Sequence, residues 1–301
     1  MSVQFPCFGS SILLGGLEFL SSVGKGIDNR PNRRDAPGMS VQAIISDVHA
    51  NEIALRSVLE DCSAQKVDEI VCLGDIVGYG SEPAECIDLI REKCKWTLCG
   101  NHDVAIFLPV PVGFNKIARE ALEWHRRVLE PGFTFFGRRR KQQRWAWLRR
   151  LDPSFTDGDV LYVHGSPRDP LMEYIEEGDV ADMGFGPPQK IVDIFERIPW
   201  LCFCGHSHRP GVVTDDYLWF KPEQLPHSKF GAPRDRKTLV NVGSVGQPRD
   251  QNPDASYVLF DRENDEVTFR RVPYDVEAAQ ERMKRHSQLH PRTWQRLQSG
   301  V

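Results

Sequence analysis

Two histidines one residue apart, in Cys204-Gly205-His206-Ser207-His208, directly follow the apolar run Ile198-Pro199-Trp200-Leu201-Cys202-Phe203. In extended backbone the side chains of residues i and i+2 point to one side, so His206 and His208 can enter a single site. Paired imidazoles at that spacing suit a metal ion. Four further polar clusters each close an apolar run in the same way: Asp47-Val48-His49, Gly74-Asp75, Gly100-Asn101-His102-Asp103 and His164-Gly165. Pooled, these offer the carboxylates of Asp47 and Asp75, the carboxamide of Asn101 and the imidazoles of His49, His164, His206 and His208, with His102 beside them. That exceeds the needs of one ion, and two divalent metals sharing a bridging carboxylate would use it well. Mixed oxygen and nitrogen donors without thiolate fit manganese, placed first, or iron, zinc, cobalt or nickel, better than a Cys-rich structural zinc or an all-oxygen calcium site. Two such ions acidify a bridging water and neutralise phosphoryl oxygens, which is the chemistry of in-line attack on a phosphoester.

The elements that must position these residues repeat one grammar. Val41 to Ile45 is an apolar run ending in the first cluster, followed by Asn51 and a helical pattern with Ile53, Leu55, Val58, Leu59 and Cys62 apolar. Glu69 to Leu73 ends in Gly74-Asp75 and leads to a helix from about Glu82 to Lys93, and Lys95 to Cys99 ends in the third cluster. From Asp47 to Asp75 to Asn101 the spacing is close to one strand-helix-strand crossover, roughly 30 residues. Such crossovers make parallel strands whose carboxyl ends share an edge, where ligands of open α/β sheets bind. An isolated Asp or Asn in such a turn is more often an Asx turn or a helix cap, but three in successive equivalent turns weaken that plainer reading. Asp159 to Val163 delivers His164-Gly165-Ser166-Pro167-Arg168-Asp169, and the run after a helix at Pro188 to Ile198 delivers His206 and His208. All five clusters are expected at one edge of a sheet. Lys237 to Val242, Ser256 to Asp261 and Val267 to Val272 read as strands of a second sheet, with a tight loop from Gly243 to Asp250 between the first two. Asn51, Arg168 and Arg249 are the candidate substrate contacts.

Residues 104–158 interrupt the pattern and are expected to be a helical insertion. Residues 119–150 hold ten Lys or Arg and three acidic residues, a set that could grip an anionic substrate or form a solvated face. The remaining composition is permissive. The 301 residues are 40 % apolar with a formal net charge of −4, enough for a core and without general attraction to nucleic acid or anionic membrane. No apolar run reaches the roughly 18–20 residues of a membrane span. Eight cysteines without a CxxC pair read as free thiols of a reducing cytoplasm. Residues 1–38 read as a disordered tail or a mis-assigned start, because the sequence MSVQ at Met1 recurs at Met39 just before the first strand. The expected domain spans 39–275, and 276–301 read as a polar helical tail without chemistry.

The ordered set Asp47-x-His49, Gly74-Asp75, Gly100-Asn101-His102-Asp103, His164-Gly165 and Gly205-His206-Ser207-His208 resembles the calcineurin-like metallophosphoesterase superfamily over roughly residues 41 to 272. The segments GDIVGYG, VHGSPRDP and VGSVGQPRD are similar to its bacterial branch of YfcE-like phosphodiesterases and protein phosphatases. The resemblance implies an α/β fold, a four-layer α-β-β-α sandwich with a dimetal site at its strand ends. It implies Asp47, His49, Asp75 and His208 on a first metal, and Asp75, Asn101, His164 and His206 on a second, with His102 as general acid or as a stabiliser of the phosphoryl charge. The implied partner is a phosphorylated substrate, a nucleotide or a phosphoprotein, hydrolysed as a monoester or a diester. The alternatives are a non-catalytic scaffold of the same fold and a nucleic-acid-processing phosphodiesterase. In the family a second Asp often follows the bridging one by three residues and orients the catalytic His. Gly78 stands at that place here, which leaves the orientation of His102 to be explained.

Overall fold

The strands that lead into Asp47 and His206 are apolar on both faces, as a sheet covered on both sides requires. In the computed structural model, which describes residues 41–108, 113–132, 137–180 and 186–301, β1 (Val41–Ile45) places Ile44 in one buried layer and Ala43 and Ile45 in another. Likewise β6 (Leu201–Cys204) divides Leu201 and Phe203 from Cys202 and Cys204. The first sheet runs β3 (Trp96–Thr97), β2 (Glu69–Cys72), β1, β11 (Ala255–Asp261), β12 (Glu266–Val272) and β9 (Lys229–Gly231). Its β1, β2 and β3 are parallel, and β11 runs antiparallel to β1 with Val41 opposite Asp261. The second runs β4 (Ser154–Asp157), β5 (Val160–Val163), β6, β10 (Thr238–Asn241), β7 (Gly211–Thr214) and β8 (Trp219–Phe220), with β5, β6 and β10 parallel.

Ile44, Val71, Val258 and Phe260 of the first sheet meet Tyr162, Phe203, Val212 and Val240 of the second in a shared core. The outer face of the first sheet is covered by α1 (Glu52–Ala64), α2 (Pro83–Lys93), α3 (Asn101–Ala105), α4 (Lys116–Leu129) and α5 (Arg138–Leu148), through Leu55, Val58, Ile87, Ile90, Ala105, Leu122 and Leu148. That of the second is covered by α6 (Gln189–Arg197), through Ile191, Ile194 and Phe195. The result is the four-layer α-β-β-α sandwich. No helix among the described residues is long and apolar enough to cross a membrane.

Three expectations need correction. The five clusters do not share one sheet edge: three end strands of the first sheet and two end strands of the second. The strands at 255–261 and 266–272 join the first sheet, because β1 has an open side that β11 pairs with and Val258 and Phe260 fill the layer between sheets. The insertion 104–158 is not helical to its end, since Ser154–Asp157 forms a hairpin with β5. Its one apolar residue, Phe155, gave no run to read. The basic residues Arg138, Arg139 and Arg140 lie exposed on α5, whereas Arg144 makes a two-pronged bond to Asp88 of α2 at 2.9 and 2.5 Å. The reading of residues 1–38 lies outside the described residues. The polar tail folds as α7 (Val276–Lys284) and α8 (Pro291–Gln295) and packs Ala279, Met283, Leu289 and Leu297 onto Ala121 and Trp124.

Helix α1 is tied to the sheet beneath it by one carboxylate. Asp61 accepts the Tyr257 hydroxyl at 2.6 Å and the Arg270 guanidinium at 2.8 and 3.1 Å. Burial alone would push this carboxyl up, but the Arg270 and Tyr257 bonds outweigh it and hold it below its ordinary value. A depressed carboxylate stabilises the fold above its unfolded pKa, and that stabilisation is lost as pH falls through the folded one. Asp61→Asn should therefore cost about 1–2 kcal/mol in urea denaturation at pH 7. The gap between wild type and variant should narrow below about pH 4; a gap that ignores pH would assign the loss to packing instead.

Candidate metal centre

The turns that end the strands are built from backbone that side-chain-bearing residues seldom adopt. Asp47 (φ 55°), His49 (47°), Asp75 (52°), His206 (65°) and His208 (60°) are all left-handed. Hydrogen bonds between neighbouring turns hold them there: Asp47 N to Gly74 O (3.0 Å), His49 N to Asp75 O (2.9 Å), Gly246 N to Asp47 O (2.9 Å) and Gly205 N to His164 O (2.9 Å). Because His206 and His208 are not extended, strand alternation does not govern them, and they part. His208 Nε2 lies 3.2 Å from Asp47 Oδ1 and 3.1 Å from His49 Nε2. His206 Nδ1 instead lies 3.2 Å from His164 Nε2, which is also 3.2 Å from Asn101 Oδ1. Between the two groups stands Asp75. Its Oδ2 is 3.6 Å from His49 Nε2 and 3.4 Å from His164 Nε2, and its Oδ1 accepts the backbone N–H of His102 at 2.8 Å. All seven expected donors are buried together.

The second nitrogen of every one of these imidazoles faces a main-chain carbonyl. His49 Nδ1 meets Val77 O (3.1 Å), His164 Nδ1 meets Leu73 O (3.2 Å), His208 Nδ1 meets Gln247 O (2.5 Å) and His206 Nε2 meets Met172 O (3.2 Å). A carbonyl only accepts, so each ring keeps a proton on that side, and a ring that is neutral turns a lone pair inward. Burial lowers His49 and His208, and lowers His206 to about 3, so these rings are neutral. Burial would raise Asp47 and Asp75, yet His208 for the first and His164 for the second hold them well down, as carboxylates. At His164 burial is overcome by Asp75, which lifts it to about 9, so a proton there balances the anions. Inward lone pairs, two buried carboxylates and an Asp47 Oδ1 without a well-aimed hydrogen bond fit divalent cations in place of that proton.

A supporting layer escaped the sequence. Asp103, which closes the third cluster, accepts the N–H groups of Gly100 (3.0 Å), Ile76 (3.0 Å) and Val77 (3.1 Å), fastening the Asp75 turn to the start of α3. Burial and then the Asp75 charge raise it to about 7. His125 of α4 accepts from Gly78 N at 2.9 Å through Nδ1 and donates to Gly80 O at 2.8 Å through Nε2. Its signal was a polar side chain inside the apolar stripe Leu122, His125, Leu129.

His102 is oriented by packing. Its ring stands edge-on to His49 (4.9 Å) and Phe114 (5.0 Å) and lies 4.7 Å from Tyr79, while its buried Nδ1 has no partner among the described residues. Gly78 has φ 102°, and a Cβ there would collide with that Nδ1, so an Asp does not fit at this place. Burial, then Arg249 among its charged neighbours, lowers His102 to about 4.

Of the candidate substrate contacts, two are committed elsewhere. Asn51 caps α1 by accepting from Ala54 N (3.1 Å) and donates to Gly246 O (3.0 Å), which occupies both ends of its amide. Arg168 is drawn away into ion pairs with Glu173 and, at 3.2 Å, Asp193. Arg249 does reach the centre: its backbone N–H bonds His208 O (3.2 Å), its guanidinium lies 5.8 Å from the Tyr79 ring, and its buried Nε has no partner among the described residues.

Comparison with known proteins identifies the family. The family model described as the calcineurin-like phosphoesterase superfamily domain matches residues 39–265. An uncharacterized protein of Methanocaldococcus jannaschii, MJ0912, is 33% identical over 250 residues, covering 81% of this chain and 92% of its own. A crystal structure of a metallophosphoesterase from Sphaerobacter thermophilus is 34% identical, covers 88% of this chain and all 100% of its own, and superposes with a TM-score of 0.72. The hypothetical protein PH1004 from Pyrococcus horikoshii shares the fold with a TM-score of 0.65 at 19% identity, over 87% of this chain and 98% of its own.

Two outcomes follow from the strained, cation-ready turns. Manganese at about 100 times its dissociation constant should stabilise chelator-stripped protein by about 2.7 kcal/mol per ion, raising Tm by roughly 5 °C or more. An unchanged melting curve would contradict a site built for metal. Gly78→Asp, which installs the family's usual residue, should lower phosphoesterase activity by about tenfold or more through displacement of His102; a gain in activity would show that the ring tolerates the side chain.

Proposed function

The chain belongs to the calcineurin-like phosphoesterase superfamily and is a metal-dependent hydrolase of phosphoric esters, and we propose that it works with two divalent ions, manganese first among the candidates. Asp47, His49, Asp75 and His208 would hold one, and Asp75, Asn101, His164 and His206 the other. The observation behind this reading is the division of the inward donors into two groups that meet at Asp75 Oδ2. Ions bound there supply a nucleophile at neutral pH and neutralise phosphoryl oxygens.

The chain's own residues do the rest. Asp75 is held ready by the His102 backbone N–H, and the four carbonyl-anchored imidazoles need no reorientation to bind. His102 acts as general acid. The protonated ring gives its proton to the leaving oxygen of the ester and returns to neutral imidazole. The approaching phosphoryl anion opposes the effect of Arg249 and favours the protonated ring. The proposed ester is a nucleotide or a phosphoprotein.

The test is turnover of p-nitrophenyl phosphate and bis-p-nitrophenyl phosphate by manganese-loaded protein, with metal content measured alongside. Wild type should cleave at least one ester with two ions per chain, and the preferred ester separates monoesterase from diesterase. His102→Ala should keep both ions and lose about 10²–10⁴-fold in kcat. Retention of the rate by this variant would remove His102 from the chemistry, and two bound ions without cleavage of either ester would favour a scaffold role.

A further inference from the structure

Beside the metal centre the fold brings together two arginines that share one neutral acceptor. Arg249, in the loop after β10, donates from Nη2 to Gln247 Oε1 at 3.0 Å. Arg296, from the short turn that follows α8 in the C-terminal tail, donates from Nη1 to the same oxygen at 3.1 Å. An amide oxygen accepts hydrogen bonds but compensates neither charge. Other half-buried arginines nearby are matched with acids, Arg271 with Asp250 and Arg282 with Glu52. Here the charged neighbours of Arg296 are Arg249 and Arg292, and burial followed by the Arg249 charge pulls it below its ordinary value. Arg249 Nε is buried and aimed at no acceptor among the described residues. Two guanidinium groups held at one point with donors to spare are suited to an anion that takes bonds from both.

The place of the pair decides what that anion belongs to. Arg249 lies 5.8 Å from the ring of Tyr79, and that ring packs 4.7 Å from His102 and 4.8 Å from His49. Tyr174, which stacks on His206 at 3.8 Å, also feels the positive charge of Arg249. The arginines therefore border the proposed metals without being among their donors.

We propose that Arg249 and Arg296 form a second anion subsite that selects phosphoric esters carrying two linked phosphates, one at the metals and its neighbour between the guanidinium groups. This deepens the hydrolase reading and rests on it for the position of the first phosphate. The substrate class is a nucleoside polyphosphate or a comparable phosphoanhydride, and the C-terminal tail becomes part of the substrate site.

The experiment is calorimetric binding of two probes to the full-length manganese-loaded protein: α,β-methylene adenosine diphosphate, and the non-hydrolysable phosphonate analogue of adenosine monophosphate. Wild type should bind the two-phosphorus probe at least about tenfold more tightly. Arg296→Ala should bring the two affinities to within about threefold, and Arg296→Lys should keep part of the preference. Gln247→Glu, which places a carboxylate between the arginines without removing either, should also abolish the preference. Equal affinities in wild type, or a preference that survives both Arg296→Ala and Gln247→Glu in folded protein, would overturn the subsite. If the preference is present but the loaded protein cleaves no ester, the hydrolase mechanism fails and the anion subsite stands.

Discussion

The carboxylate of Asp75 is removed from water and surrounded by imidazole nitrogens and a single backbone N–H. Burying an ionised carboxylate costs several kcal/mol unless opposite charge lies close by. Here the compensation comes from His164, whose proton is held up to about 9 by that same anion. The whole centre is thus an anionic hole in which positive charge is required and its carrier is exchangeable. A divalent cation answers that requirement better than a proton does, because it satisfies several inward lone pairs at once.

Such a hole collapses unless the backbone around it is fixed. Five donors sit in left-handed turns, each costing of order 1–3 kcal/mol in isolation. The cost is borne by bonds that cross between strands. The Asp47 carbonyl accepts from both Gly246 N and Ser244 Oγ, at 2.9 Å each, and Asn241 Nδ2 grips Gly205 O at 2.7 Å. The Asp47 carboxylate takes the N–H of His206 at 2.9 Å, so the last cluster of the chain is locked to the first. Gly205 is needed at that seam, because a Cβ there would collide with Ser46 Oγ. The same logic explains Asp103 and His125, which touch no inward donor lone pair and instead hold the Asp75 and Gly78 turns.

The departure at Gly78 shows how one function can be met by different physics. Where the family often uses a carboxylate to aim the catalytic histidine, this chain surrounds His102 with the rings of His49, Tyr79 and Phe114 and leaves Nδ1 without a partner among the described residues. A ring aimed by packing keeps its orientation without a carboxylate bonded to Nδ1, and burial together with Arg249 outweighs the upward pull of Asp75 on its pKa. That is consistent with a neutral His102 beside the positive charge of Arg249.

Read from the residues, the seven inward donors and His102 were legible because each follows an apolar run of strand length, and crossover spacing alone brings strand ends together. Local rules failed where a residue's partner lies far along the chain. Alternation misjudged His206 and His208, since their turns are bent by bonds to Asp47 and Gln247. Asn51 and Arg168 had the right chemistry beside the right motifs, but a helix cap and two acids on neighbouring segments claim them. His125 and Arg296 were illegible as site residues because neither adjoins a motif; only the packing of α4 and of the tail delivers them. Sequence by itself therefore determined which side chains are available and that strand ends would carry them. Tertiary structure decided which nitrogen of each ring turns inward, which donors pair, and which arginines are left facing the substrate, because those outcomes depend on contacts between segments that no local spacing encodes.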